Sequence, residues 1–232
     1  VTSLRALPRL FLPGADATAG EIALPQEEVD KLRKVLRLSS GAEIAVLPND
    51  GTLIRCTLKG HAAIPNEVIR LQTESRRSVT IAQALPKGDK LDEIVRACTE
   101  IGVARFIVFP SDRTIVRWDD KKTLDRVHRL EAIAREAAEV SFRTKLPTFA
   151  VAKDLSEVLT KLPEAVVLSE VEGLTGNLPT DRDEITMVVG PEGGWSNREL
   201  EQIGGRGVTL GPRVLRVDHA APAAAAILLL NA

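Results

Sequence analysis

The residues best suited to chemistry lie near the C-terminal end of the 232-residue chain. An apolar run, EITMVV at 184–189, leads straight into Gly190, Pro191, Glu192, Gly193 and Gly194. A second run, GVTL at 207–210, leads into Gly211, Pro212, Arg213, Val214, Leu215 and Arg216. Each reads as a strand ending in a glycine loop, where missing side chains let a ligand approach the backbone. Asp218 follows Arg216, and a loop that only had to turn would need no such charged pair. A guanidinium there can stabilise a developing anion and a carboxylate can accept a proton. The same residues allow plainer readings: Arg216 binds a phosphate, Asp218 caps the helix that follows, and Glu192 braces its own loop. His219 is either a base near neutral pH or a structural residue at a helix start.

Other chemistries lack their residues. No GxGxxG follows the first strand of the alternating region and no GxxxxGK[ST] occurs, so the common nucleotide motifs are absent. His61 and His128 have no partners at metal-ligand spacing, and no metal is assigned. Cys56 and Cys98 form no CxxC, which excludes a zinc ribbon, argues against a disulfide framework and points to a reducing cytosol. Thirty-one Lys and Arg against thirty-two Asp and Glu exclude a polycation that holds nucleic acid by bulk charge. Five Phe, two Trp and no Tyr make a base-stacking platform improbable. Nucleic acid would have to meet a local patch, for which Lys31, Arg33, Lys34 and Arg37 are the candidate, a solvated helix face being the alternative. Arg5, Pro8, Arg9 and Pro13 interrupt the N-terminus, so it lacks a signal-peptide core, and the apolar run 220–230 is shorter than the roughly 20 residues of a membrane span.

The elements that must position these loops follow from the pattern. AEIAVL and TLIRCTL flank Pro48, Asn49, Asp50 and Gly51, which predicts a β-hairpin with Cys56 in the core; EVIRLQ at 67–72 adds a strand. Thr73 to Ser78 is the linker, with a domain boundary near residue 76. Beyond it strands alternate with helices: VTIAQAL, then a helix with Leu91, Ile94, Val95, Cys98 and Ile101 on one face and Gly102 as its stop, then ARFIVF, EAVVLS, EITMVV and GVTL, with helices around 121–141 and 153–162. Ser196 to Glu199 has capping-box spacing, so a helix starts after the first glycine loop. This alternation predicts a mainly parallel sheet covered on both faces, with ligand loops at the carboxyl ends of its strands. From Ala223 to Leu230 every residue is apolar, which predicts a final helix buried on all sides, Asp218 at its cap, Pro222 in its first four residues and a second subunit against it.

VVGPEGGWS followed by LGPRVLR, with IAQALPKGDKLDEIVRACTEIGV upstream and KVLRLSSG near the N-terminus, resembles the 16S ribosomal RNA (uridine N3)-methyltransferases of the SPOUT class. The resemblance covers nearly the whole chain. It implies a PUA-like RNA-binding β-barrel over residues 1–76 and a trefoil-knotted α/β methyltransferase domain over 77–232, acting as a cytoplasmic homodimer on 16S ribosomal RNA or the small subunit. S-adenosyl-L-methionine is the implied cofactor, held by Leu168, Ser169 and Glu170, by Gly190 to Gly194, and by Leu210, Gly211, Arg213, Val214 and Leu215. Arg216 would stabilise the uridine anion, and Asp218 or Glu192 would take its proton. Arg9, Arg33, Lys34, Arg37, Arg113 and Arg143 would position RNA. The chain departs from the family with Arg216-Val217-Asp218-His219-Ala220 where Arg-Thr-Glu-Thr-Ala is usual, and with Glu139-Val140-Ser141-Phe142-Arg143 where Glu-Gln-Ser or Glu-Gln-Cys precedes a basic residue. A non-catalytic RNA-binding or ribosome-assembly protein on this fold and a SPOUT methyltransferase for another RNA nucleotide are the alternatives.

Overall fold

The hairpin expected from AEIAVL and TLIRCTL is present in the computed structural model of the chain, which describes residues 3–116, 118–170 and 176–230. The chain divides into two compact units, the first made of Val1–Glu74 with Ala138–Leu146 and the second of Ser75–Ala137 with Pro147–Ala232.

The first unit contains β1 (Arg9–Phe11), β2 (Ile22–Ala23), α1 (Gln26–Asp30), β3 (Glu43–Leu47), β4 (Thr52–Lys59) and β5 (Ala62–Arg70). Its five-stranded sheet has the order β1-β3-β4-β5-β2, with β1 parallel to β3 and the other pairs antiparallel. Cys56 is a fully buried core residue, as its alternation suggested, and burial pushes its thiol up to about 12. The strand expected at 67–72 begins earlier, at Ala62, because β5 pairs with β4 along its whole length. After α1 the chain continues as a π-helical turn, Lys31–Val35, which turns Arg33 and Lys34 to solvent.

The second unit holds β6 (Ser78–Ala84), α2 (Lys90–Ile101), β7 (Arg105–Phe109), most of α3 (Asp120–Val140), β8 (Thr148–Val151), α4 (Leu155–Lys161), β9 (Val166–Leu168), β10 (Glu184–Val189), α5 (Asn197–Ile203), β11 (Gly207–Val208) and α6 (Val217–Leu229). Its sheet is parallel throughout, in the order β11-β9-β10-β6-β7-β8. Alternate residues of its strands feed two cores. Val79, Ile81, Ile185 and Met187 meet Leu91, Ile94 and Val95 of α2 and Ala221, Ala224 and Leu228 of α6, while Ala82, Ala84 and Val188 meet Leu155 and Val158 of α4 and Ile203 of α5.

Two expectations about α6 need correction. The helix begins at Val217 with Arg216 at the cap position, so Asp218 is not the cap, and Pro222 stands six residues in, where it cannot donate to the carbonyl of Asp218. Within one chain part of its surface stays uncovered, the part that the expected second subunit would have to cover. Leu228 is completely buried in the unit's own core, whereas Ile227 is 49% and Leu230 66% exposed, with Ala223 and Ala226 part-exposed beside them.

Candidate active site

Because all strands of the second unit run the same way, the carboxyl ends of β9, β10 and β11, which are neighbours in the order β11-β9-β10, deliver three loops side by side. These loops, Leu168 to Glu170, Gly190 to Trp195 and Thr209 to Arg216, line a cleft of about 1170 Å³, together with Lys90, Arg113, Val217 and Ala220. Every residue expected to hold a cofactor lines it except Gly193, whose carbonyl instead accepts from Arg113 Nη1 at 2.6 Å.

Local chemistry explains the loop shapes. Gly194 and Gly211 adopt φ values of 66° and 120°, a region that side chains with a Cβ disfavour. Thr209 Oγ1 accepts the Gly211 N–H at 3.2 Å and donates to the Gly211 carbonyl at 3.0 Å, which closes the third loop. The amides of Arg213, Val214 and Leu215 make no hydrogen bond within the described residues. Trp195, buried, donates from Nε1 to the Leu168 carbonyl at 3.0 Å and so ties the first loop to the second. From below, the Gln83 side-chain amide donates to the carbonyls of Ala84 at 3.0 Å and Gly190 at 3.3 Å.

The expected capping box at the start of α5 is present and does more than cap. Glu199 accepts the N–H of Ser196 at 2.9 Å and that of Asp112 at 3.0 Å, and Asp112 accepts from Ser196 Oγ and from the Arg198 guanidinium. Arg198 and the Ser196 hydroxyl hold the Asp112 carboxyl down to about 2. This latch joins the loop after β7 to the loop after β10, and Arg113 follows Asp112 onto the cleft wall.

The charged candidates divide. Arg216 lines the cleft, and its Nε donates to Asp218 Oδ1 at 3.3 Å. Asp218 does not line the cleft; its own backbone N–H, at the start of α6, holds its carboxyl below the ordinary value against a smaller opposing effect of burial, and Arg216 and His219 add to the lowering. His219 Nε2 lies 3.7 Å from Asp218 Oδ2. Glu192 lines the cleft with its carboxylate committed: Lys90 Nζ donates at 2.8 Å and the Lys87 N–H at 3.1 Å. Burial works to raise the Glu192 pKa, but these hydrogen bonds and the Lys90 charge outweigh it and leave the group acidic. A carboxylate so engaged is a brace between its loop and the start of α2, and a poor proton acceptor.

In the first unit Arg33 donates to the Gly60 carbonyl at 3.0 Å, Lys34 pairs with Asp30 at 2.9 Å, and Arg37 is exposed with φ 56°. Arg9 lies over the Phe142 ring, 4.8 Å from its centroid. Arg143 requires correction as an RNA contact. It is 4% exposed and gives two hydrogen bonds to Glu74 Oε2, at 2.8 and 3.1 Å, so its guanidinium is spent on the interior of the unit. Gln83, Lys90 and Asp112 carry no sequence signal as site residues, since the loops they hold lie about 80 to 110 residues away; Glu199 was visible through its capping box and Trp195 through the adjoining glycine motif, but not their links to Asp112 and Leu168.

A family model described as RNA methyltransferase domain matches residues 73–229. The chain is 33% identical to the ribosomal RNA small subunit methyltransferase E of Bacillus subtilis over 223 residues, covering 87% of each protein. It is 32% identical to the protein of that name from Synechocystis, over 90% of this chain and 72% of the relative. Among solved structures it is similar to a ribosomal RNA small subunit methyltransferase E from Neisseria gonorrhoeae bound to S-adenosyl methionine, with a TM-score of 0.86, 28% identity and 96% of both chains covered.

Proposed function

This chain belongs to the RNA methyltransferase family, and we propose that it transfers a methyl group from S-adenosylmethionine to N3 of a uridine in 16S ribosomal RNA. The observation that carries this reading is the cleft itself, where three strand-end loops converge and Arg216 stands on the wall. The Neisseria relative's bound S-adenosylmethionine supports the choice of cofactor. The residues present fit it: apolar walls from Leu168, Val189, Leu210 and Leu215 suit an adenine ring, and the unspent amides of Arg213, Val214 and Leu215 suit its acceptor edge.

When bound, S-adenosylmethionine supplies a methyl group on a sulfonium sulfur that leaves as a neutral thioether. The protein must provide the nucleophile, because the N3 lone pair of uridine is delocalised into the imide until the N3–H proton leaves. Asp218, which stands behind Arg216 and not on the cleft wall, takes that proton by way of solvent, and the electron pair of the broken N–H bond stays on N3 for the transfer. Since the Asp218 carboxyl is held low, it is ionised across the neutral range but only weakly basic. Arg216 therefore lowers the energy of the uridine anion through its charge near an imide oxygen.

Under this reading residues 1–76 serve as a PUA-like RNA-binding barrel and 77–232 as a knotted SPOUT domain. Arg9, Arg33, Lys34, Arg37 and Arg113 contact RNA phosphates, and two copies pair in the cytoplasm through the uncovered face of α6. The test is to incubate the protein with labelled S-adenosylmethionine and undermethylated small subunits or naked 16S ribosomal RNA, then locate the modified nucleotide by mass spectrometry. Label on a different nucleotide, or none, overturns the reading.

A further inference from the structure

Phe142 occupies a position where the backbone favours glycine. Helix α3 ends at Val140, the N–H of Arg143 returns to the Ala138 carbonyl at 3.0 Å, and Phe142 between them adopts φ 64°. This is the left-handed residue of a helix C-terminal motif, a conformation that a side chain with a Cβ disfavours relative to glycine. One part of the ring packs against the core formed by Leu7, Phe11, Leu47 and Leu53. Its remaining surface holds cations: Arg9 lies 4.8 Å and Arg5 5.8 Å from the ring centroid.

Two guanidinium groups drawn to one ring repel each other. Burial lowers the Arg9 pKa, Glu139 opposes that, and the Arg5 charge lowers it further. Glu139 is itself engaged by Lys31 Nζ at 2.6 Å and by the Phe11 N–H at 3.2 Å. Arg5 is exposed and has no carboxylate partner among the described residues, and Arg9 Nη1 is buried without a hydrogen-bond partner. The arrangement has cationic charge in excess on a scaffold that costs backbone energy to build, and a phosphodiester beside the two guanidinium groups would relieve their repulsion.

We propose that Arg5, Phe142 and Arg9 form a phosphate-binding element for RNA in the first unit, in which the Phe142 ring sets the two guanidinium groups to grip the sugar-phosphate backbone. The element rests on the reading of the chain as an RNA methyltransferase and adds Arg5 and Phe142 to it. It reads charge and not sequence, so its loss weakens binding evenly across RNA sequences.

Phe142→Gly is the informative variant, because glycine relaxes the backbone while removing the ring that orders both arginines. Binding of 16S ribosomal RNA is measured against salt concentration for wild type, Phe142→Gly and Arg5→Ala, with S-adenosylmethionine affinity and thermal unfolding recorded in parallel. Each variant is expected to bind RNA about tenfold more weakly at low salt, and Arg5→Ala to reduce the slope of log K against log salt by about one, with cofactor affinity unchanged. RNA affinity and salt slope equal to wild type in both folded variants overturn the proposal alone. A wild-type protein that binds the cofactor but no RNA overturns the functional reading and this element with it.

Discussion

The indole ring of Trp195 occupies the space that a side chain on Gly190 would need: a Cβ there would stand 3.0 Å from the ring, which is itself held by its hydrogen bond to the Leu168 carbonyl. The ring cannot retreat without lengthening that bond, so the identity of residue 190 controls two cleft loops at once.

Gly190→Ala is therefore expected to destabilise the fold by about 1–3 kcal/mol, the usual cost of overpacking, and to weaken S-adenosylmethionine binding several-fold. Thermal unfolding and calorimetry measure the two effects. Full cofactor affinity in the variant would show that the ring and the loops move independently.

Arg216→Ala should leave cofactor affinity nearly unchanged while lowering turnover by on the order of a hundredfold or more, the scale for losing one electrostatic donor to a developing anion. Equilibrium binding and single-turnover rates separate the two. A large loss of cofactor affinity would reassign Arg216 to the cofactor.

For Asp218 the capping role is removed by the structure, which sharpens the test. If it accepts the proton, Asp218→Asn slows transfer at neutral pH and regains part of the rate as the pH rises, because more uridine is then already ionised. If it only holds Arg216 by their 3.3 Å hydrogen bond, the asparagine side chain can still accept that bond and the rate stays near wild type at all pH values.

Glu192→Gln keeps an acceptor for the Lys87 N–H but loses the charge that pairs with Lys90. Its effect is expected on cofactor affinity through the loop, with little change in the pH profile of turnover. A profile that loses its acidic limb would restore Glu192 as the base.

The sign of the pH effect at Asp112 is fixed by its depressed pKa. The latch to Ser196 and Arg198 contributes stability that is fully present above the ordinary Asp value of 3.8 and is lost as the pH falls toward about 2. Trp fluorescence during acid titration should show a transition in that window that Asp112→Asn abolishes.

Leu228→Glu should unfold the protein outright, since it places a charge in the unit's own core, whereas Ile227→Glu should leave the fold intact and dissociate a dimer. Sedimentation and thermal unfolding of both variants decide this. A wild-type protein that sediments as a monomer at micromolar concentration removes α6 as an interface.

The sequence by itself determined the local elements around the site. The hairpin at Pro48–Gly51, the face of α2, the capping box at Ser196 and the two strand-to-glycine loops are written in patterns of a few residues, because turns, caps and amphipathic faces depend on neighbours within about one turn of chain. Several short elements carried too little pattern to be seen, among them β1, β2 and β8, which are ordered by their sheet partners. Tertiary structure alone decided which residues meet: that the segment 138–146 folds with residues 1–74, that Glu192 is claimed by Lys90 and Lys87, that Arg143 is spent on Glu74, and that α6 buries Leu228 while leaving Ile227 bare. Those facts depend on contacts between residues up to 128 positions apart and more. An all-apolar helix or a lone carboxylate reads the same in sequence whatever the fold brings against it.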